Sequence, residues 1–142
     1  MKIKIKKVNE DAIIPTKGSD YAAGYDLYAI KDEVIFPHNT TKAPTGLAIE
    51  IPEGYFGGIF ARSGLAAKKR IRPANCVGVI DSDYRGEIIV LLHNDSERHQ
   101  FISKGDRIAQ LIVLPYLSIE FEEVENLNET ERGEGGFGST GK

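Results

Sequence analysis

Hydrophobic positions in this chain fall mostly at every second residue, in short runs separated by turn residues. Ile3 and Ile5 alternate with Lys2, Lys4 and Lys6, the pattern of a half-buried strand with a basic outer face. Leu47, Ile49 and Ile51 alternate with Ala48 and Glu50, and Pro52 ends the run. The stretch Y-F-G-G-I-F-A, 55–61, has strand composition with two glycines, which predicts a bulge or a close backbone approach. E-I-I-V-L-L, 87–92, and R-I-A-Q-L-I-V-L-P, 107–115, are continuous apolar runs and predict strands buried on both faces. Ile119 and Phe121, alternating with Glu120 and Glu122, predict a last strand. Turn residues separate these runs: P-H-N at 37–39, P-E-G at 52–54 and S-K-G-D at 103–106. S-G-L-A-A-K-K, 63–69, is the one fair helix candidate. Many short strands and one small helix predict an all-β sandwich or barrel.

Composition narrows the picture. A chain of 142 residues is the size of one domain. Its net charge of −3 gives no basic face for stable nucleic-acid binding. Cys76 is the only cysteine, so no intrachain disulfide forms and a reducing compartment is expected. The start, M-K-I-K-I-K-K, lacks the apolar core of a secretory signal, and no apolar run approaches membrane-helix length. These features predict a soluble, cytoplasmic protein without membrane contact. After Glu125 hydrophobic residues almost vanish, so 125–142 is expected to be a flexible arm appended to a 1–124 barrel domain.

Common catalytic patterns are missing. His38, His93 and His99 lack metal-ligand spacing, and neither H-E-x-x-H nor G-x-S-x-G occurs. The tail R-G-E-G-G-F-G-S-T-G-K contains G-x-G-x-x-G, but the chain given ends four residues after Gly138, leaving no room for the helix that phosphate-binding glycine loops require. What remains is a set of polar clusters: A-A-G-Y-D-L-Y-A (22–29), A-R-S-G-L-A (61–66), G-V-I-D-S-D-Y-R-G-E (78–87), G-D-R-I-A-Q-L (105–111) and R-G-E-G-G-F-G-S-T-G (132–141). Each has a plain structural reading. Asp26 can end a turn begun at Gly24; Arg62 and Ser63 can start and cap the helix. D-S-D-Y-R-G has hairpin-turn composition. Asp106 and Arg107 can form a surface ion pair, and the tail can be a linker.

Together, in this order and spacing, the five clusters resemble the motifs of the trimeric deoxyuridine triphosphatases (dUTP nucleotidohydrolases), from about Gly18 to Gly141. The resemblance implies a distorted antiparallel β-barrel, or jelly roll, and a homotrimer with shared active sites. The C-terminal arm of one chain would close over a site made by the other two. It also implies hydrolysis of dUTP to dUMP and pyrophosphate with Mg²⁺, which keeps uracil out of DNA and supplies dUMP for thymidylate synthesis.

The resemblance further implies a role for each residue. Arg62, Ser63 and Gly64 would hold inner phosphates with Gln110; Arg132, Gly138, Ser139 and Thr140 on the arm would cover the outer ones. The residue types suit this work, since arginine meets phosphate through two parallel N–H groups. Asp26 would orient waters of the Mg²⁺ from its outer shell. A β-hairpin carrying Asn75, Val79, Ile80 and Asp81 would read uracil largely through its backbone. Tyr84 would pack on the deoxyribose and exclude a 2′-hydroxyl, and Phe137 would stack on the base. Asp81 would hold the attacking water and take its proton, whereas Asp83 reads as a turn or ion-pair residue. No covalent intermediate is expected.

The dCTP deaminases share this fold and use a glutamate after the hairpin. Alignment of I-D-S-D-Y-R-G-E-I-I-V-L-L on their pattern puts Leu91 there, and leucine cannot shuttle protons. A non-catalytic nucleotide sensor on the same fold would have no need of Asp81.

Overall fold

The computed structural model describes residues 1–138. Its strands pair antiparallel throughout. β1 (Lys4–Lys7) lies on β6 (Leu47–Glu50), with Ile5 opposite Ile49. β5 (Thr40–Pro44), β10 (Ile89–Asn94) and β8 (Ile71–Pro73) form a second sheet in that order. β11 (Gln100–Ile102) pairs with β4 (Glu33–Ile35). The largest sheet runs β2 (Thr16–Lys17), β3 (Tyr25–Tyr28), β12 (Arg107–Pro115), β7 (Tyr55–Phe60), β9 (Gly78–Ile80). Neighbours are often far apart in sequence, as in the crossed connections of a jelly roll.

Inward-facing residues of these sheets meet in one core. Leu27, Ile35, Leu47, Ile71, Ile88, Leu92, Ile102 and Ile108 are almost fully buried. Each stabilises the fold by about 1.5–3 kcal/mol relative to exposure. The glycines of β7 meet the predicted close approach, because a Cβ on Gly57 would lie 2.8 Å from Ile51 Cδ1. All three predicted turns form. Gly54 and Gly105 take the positive φ that closes two of them, and Asn39 N–H donates to Phe36 O in the third. Helix α1, Ser63–Lys69, has the predicted bounds. Arg62 is its N-cap residue but makes no side-chain cap bond; its guanidinium goes elsewhere.

Two predicted features differ. β10 alternates, with Val90, Leu92 and Asn94 buried while Ile89 is half-exposed. Its outer face borders a cavity, so the continuous apolar run reflects a lined hollow and not burial on both faces. β12 is buried on consecutive residues only at Ile108 and Ala109, beside the register shift in its pairing with β3. The alternation at Ile119 and Phe121 forms no strand, since no strand of this chain lies beside it; Phe121 is 93% exposed. From Tyr116 to Gly138 the described chain has neither strand nor helix. Among the described residues no helix is long and apolar enough to cross a membrane.

Candidate active site

One cavity of about 240 Å³ gathers most of the third cluster. Asn75, Gly78, Val79, Ile80, Asp81 and Tyr84 line it, and Ile89 and Leu91 of β10 supply apolar wall. β9 brings Gly78, Val79 and Ile80 to this wall because it pairs with β7, Gly78 opposite Ile59 and Ile80 opposite Gly57. The expected hairpin is not a ladder between β8 and β9. β8 pairs with β10 and β9 with β7, so the tight turn at Asn75–Cys76 bridges two sheets. Cys76 takes φ 62° there, and Val77 N–H donates to Asn75 O at 2.7 Å. Such a turn leaves backbone groups at the cavity mouth instead of pairing them across a hairpin.

Asp81 follows β9 directly and is exposed at the cavity rim. Its carbonyl accepts Tyr84 N–H at 3.2 Å, and Tyr84 Oη donates to Glu87 O at 3.0 Å. D-S-D-Y-R-G is thus a compact loop that presents a carboxylate and a half-exposed ring to one hollow. Asp83 lies in its turn, with Arg85 donating to Ser82 O at 2.7 Å and Tyr84 O at 3.0 Å. On its far side Asp81 borders a second, polar hollow with Glu50, Glu53, Asp83 and Arg85. Lys4, hydrogen-bonded to Glu50 at 3.0 Å, holds that carboxyl below its ordinary value.

A second group forms where β3, β12 and β7 run side by side. Gln110 lies opposite Asp26 on one flank and Phe60 on the other. Asp26 is buried, with Arg62 Nε donating to Oδ1 at 2.8 Å and Arg107 3.5 Å from Oδ2. The reading of Asp26 as a turn residue does not hold, because it sits inside β3 as the anchor of two cations. Arg107 reaches Asp26, and Asp106 accepts Ser103 N–H at 2.9 Å, so the Asp106–Arg107 surface pair does not form. Gln110 Nε2 donates to Ala61 O at 2.9 Å, which sets its amide beside Arg62. Gly24 makes room for this, since a Cβ there would lie 2.3 Å from Gln110 Oε1. Ser63 and Gly64 follow at the start of α1.

The arm residues stand apart. Arg132 Nε donates to Gly135 O at 2.8 Å, Phe137 is fully exposed, and Gly138 has φ 89°. Ser139 and Thr140 lie outside the described residues. No hydrogen bond or ion pair among the described residues joins the cavity group to the Asp26 group, or the arm to either. The histidines have structural partners: Glu97 for His38, Thr40 for His93 and the ring of Phe36 for His99. No cluster of three metal-ligating side chains exists among the described residues.

Neither the contact of Arg107 with Asp26, nor that of Glu87 with Gly46, nor that of Gly24 with Gln110 is visible in the sequence. Arg107 was misassigned to its chain neighbour, and the contacts of Glu87 and Gly24 depend on long-range pairing that no local pattern reveals.

Residues 10–141 match the family model described as dUTPase. The deoxyuridine 5'-triphosphate nucleotidohydrolase of Nautilia profundicola is 53% identical over 142 residues, covering 100% of both chains. A dUTPase of Staphylococcus bacteriophage 80alpha, solved with dUpNHpp, superposes with a TM-score of 0.88 at 28% identity and 99% coverage of both chains. A dUTPase variant from phage phi11 of S. aureus, described with a structural Mg(II) ion, gives 0.80 at 25% identity over 89% of this chain and 98% of that one. With a model match over nearly its whole length and full-length relatives near half identity, this chain belongs to the dUTPase family of dUTP diphosphatases.

Proposed function

We propose that this enzyme hydrolyses dUTP to dUMP and pyrophosphate by in-line attack of a water on the α-phosphorus, with Asp81 as the base. The supporting observation is the loop 81–84, which sets an exposed carboxylate and the Tyr84 ring on the rim of one cavity walled by β9. A uracil seated against Gly78–Ile80 meets backbone donors and acceptors in a tight space. A thymine methyl has no room there, and the donor order of cytosine mismatches. Tyr84 packs on the deoxyribose and excludes a 2′-hydroxyl. The α-phosphate then lies towards Asp81, which orients the water and takes its proton. Leu91 in the cavity wall is apolar, so deamination has no acid–base group at that position.

The phosphates need cations and donors. Arg62 and Gln110, held by Asp26 and Ala61 O, offer a guanidinium and an amide, with Ser63 and Gly64 beside them. These do not line the cavity of the same chain, and among the described residues the arm makes no hydrogen bond or ion pair to either group. That separation supports a homotrimer in which each site combines the cavity of one chain, the Arg62 group of a second and the arm of a third. Phe137 would stack on uracil, and Arg132, Gly138, Ser139 and Thr140 would cover the phosphates. The glycines of the arm suit a lid that folds onto phosphates already held elsewhere.

Asp26 fits Mg²⁺ as an outer-shell group. It is a lone carboxylate with Oδ2 only loosely engaged, whereas an all-protein cage would need more ligands than the described residues assemble. Mg²⁺ usually keeps several waters and binds through substrate phosphates. When bound it would neutralise charge on the triphosphate. An exposed lone Cys76 fits a reducing compartment such as the cytoplasm.

Pyrophosphate and ammonia release from dUTP, dCTP, dTTP and UTP with Mg²⁺ test this reading. Pyrophosphate from dUTP alone supports it. Ammonia from dCTP would establish deamination instead, and dUTP binding without product would leave a sensor.

A further inference from the structure

The ring of Tyr84 is held by contacts the motif does not announce. Its Oη donates to Glu87 O at 3.0 Å, and its edge rests on Gly86, where a Cβ would lie 2.3 Å from Oη and 2.5 Å from Cζ. The residue that supplies the carbonyl is itself tied down. Glu87 Oε1 accepts Gly46 N–H at 2.7 Å, reaching from the substrate loop to the turn between β5 and β6. The next residue is fixed to the same turn: Thr45 Oγ1, fully buried, donates to Ile88 O at 2.7 Å, and Ile88 N–H donates to Leu47 O at 2.7 Å. Gly46 takes φ 68°, and a Cβ there would lie 2.9 Å from Ala12 Cβ and Asn9 Cβ, so its N–H direction is set by tight packing.

We infer that Glu87 is a positioning residue for sugar discrimination. Its carboxylate fastens its own peptide to the β5–β6 turn, and the carbonyl of that peptide holds the phenol of Tyr84 in the plane that closes the cavity to a 2′-hydroxyl. The inference rests on the reading of Tyr84 as the sugar gate. A side chain half-exposed to water keeps one orientation only if its single anchor is fixed. Ile88 fixes the far side of the 87–88 peptide, and Glu87 fixes the near side. Without the carboxylate that peptide is held by the Ile88 N–H alone and can pivot about this one bond, and the ring pivots with it. The core bonds of Thr45 and Ile88 survive, so the chain still folds.

The test is the ratio of kcat/KM for dUTP to that for UTP. Glu87→Ala should lower the ratio about tenfold, the effect of releasing one hydrogen-bonded anchor. Glu87→Gln keeps an Oε1 acceptor for Gly46 N–H and should restore most of it, whereas loss of a merely structural bond would lower kcat/KM for both substrates alike and leave the ratio unchanged. Gly86→Ala, which pushes the ring directly, should lower the ratio as well. Tyr84→Ala serves as reference. If it leaves the ratio unchanged, the gate reading falls and this inference with it. If Tyr84→Ala lowers the ratio but Glu87→Ala reduces both substrates equally, the gate stands and the Glu87 role is refuted.

Discussion

Gly24→Ala isolates the geometry of the phosphate-side group in one atom. The added Cβ would sit 2.3 Å from Gln110 Oε1 and 3.1 Å from its Cβ and Cδ. The first distance is roughly 1 Å short of ordinary van der Waals contact, more than bond-angle relaxation can absorb. Gln110 must leave its rotamer, which breaks the 2.9 Å bond to Ala61 O. Loss of that bond costs about 1 kcal/mol of stability, a Tm decrease of a few degrees for a chain of this size. The larger effect falls on turnover. An amide that meets a phosphate contributes about 1.5–3 kcal/mol, so kcat/KM for dUTP should drop about 10- to 100-fold. Steady-state pyrophosphate release and thermal melts measure the two effects. The double variant Gly24→Ala/Gln110→Ala provides the decisive comparison. If the methyl acts only through Gln110, the double variant turns over like Gln110→Ala alone, a strongly non-additive cycle. Additive losses, or a Gly24→Ala enzyme with parental kcat/KM, would refute the reasoning.

Other outcomes follow from the same geometry. Asp81→Asn should abolish dUTP turnover while calorimetry still shows nucleotide binding; undiminished turnover would remove Asp81 from the base role. Truncation after Glu125 should remove most activity with the far-UV spectrum and oligomeric state retained, and full turnover in the truncated chain would remove the lid. Arg72, hydrogen-bonded to Asp95 at 2.7 Å, holds that carboxyl below its ordinary value. A depressed folded value stabilises above the ordinary aspartate range and ceases to do so as pH falls through the folded value. Melts of Arg72→Ala should therefore show a deficit near neutral pH that narrows in acid, and a pH-independent deficit would exclude an electrostatic origin.

Legibility in the sequence followed the range of the forces involved. The turns at Gly54 and Gly105 and the helix 63–69 are set by neighbours a few residues away, and the strands at Lys4–Lys7 and Leu47–Glu50 carry their apolar residues in a local pattern; each was readable. The reading failed where burial depended on distant partners. E-I-I-V-L-L has the composition of a strand covered on both faces, but its outer face lines a cavity. Ile119 and Phe121 alternate like a strand, yet this chain supplies them no neighbour. Arg107 was paired with Asp106 because adjacency is visible in sequence, whereas Asp26 is opposite Gln110 only after β3 and β12 pair. Asn75, Asp81 and Tyr84 lie close in sequence and line one cavity, whereas the contact of Glu87 in that segment is invisible locally because its partner Gly46 is distant.

Electrostatics also argues that a single chain is an incomplete enzyme. The cavity beside Tyr84 suits a nucleoside, but the polar hollow on the far side of Asp81 presents Glu50, Glu53 and Asp83. Arg85 is the one cation lining it, and its guanidinium is engaged by the carbonyls of Ser82 and Tyr84. A triphosphate is repelled from such a surface. Cations suited to it, Arg62 and Arg107, converge on Asp26 instead. Under the proposed trimer, a cavity that lacks phosphate cations and a cation cluster that lacks such a cavity would be complementary halves. One is held by the β9–β7 pairing and the other by the Asp26 ion pairs, so juxtaposing two copies would bring them together without rebuilding either. The exposed arm is the remaining part, and its Arg132 and glycines are chemically matched to the phosphate end that the cavity lacks. The proposed trimer would then place Asp81, exposed at the rim of the cavity, between the nucleoside end and the phosphate end of the substrate.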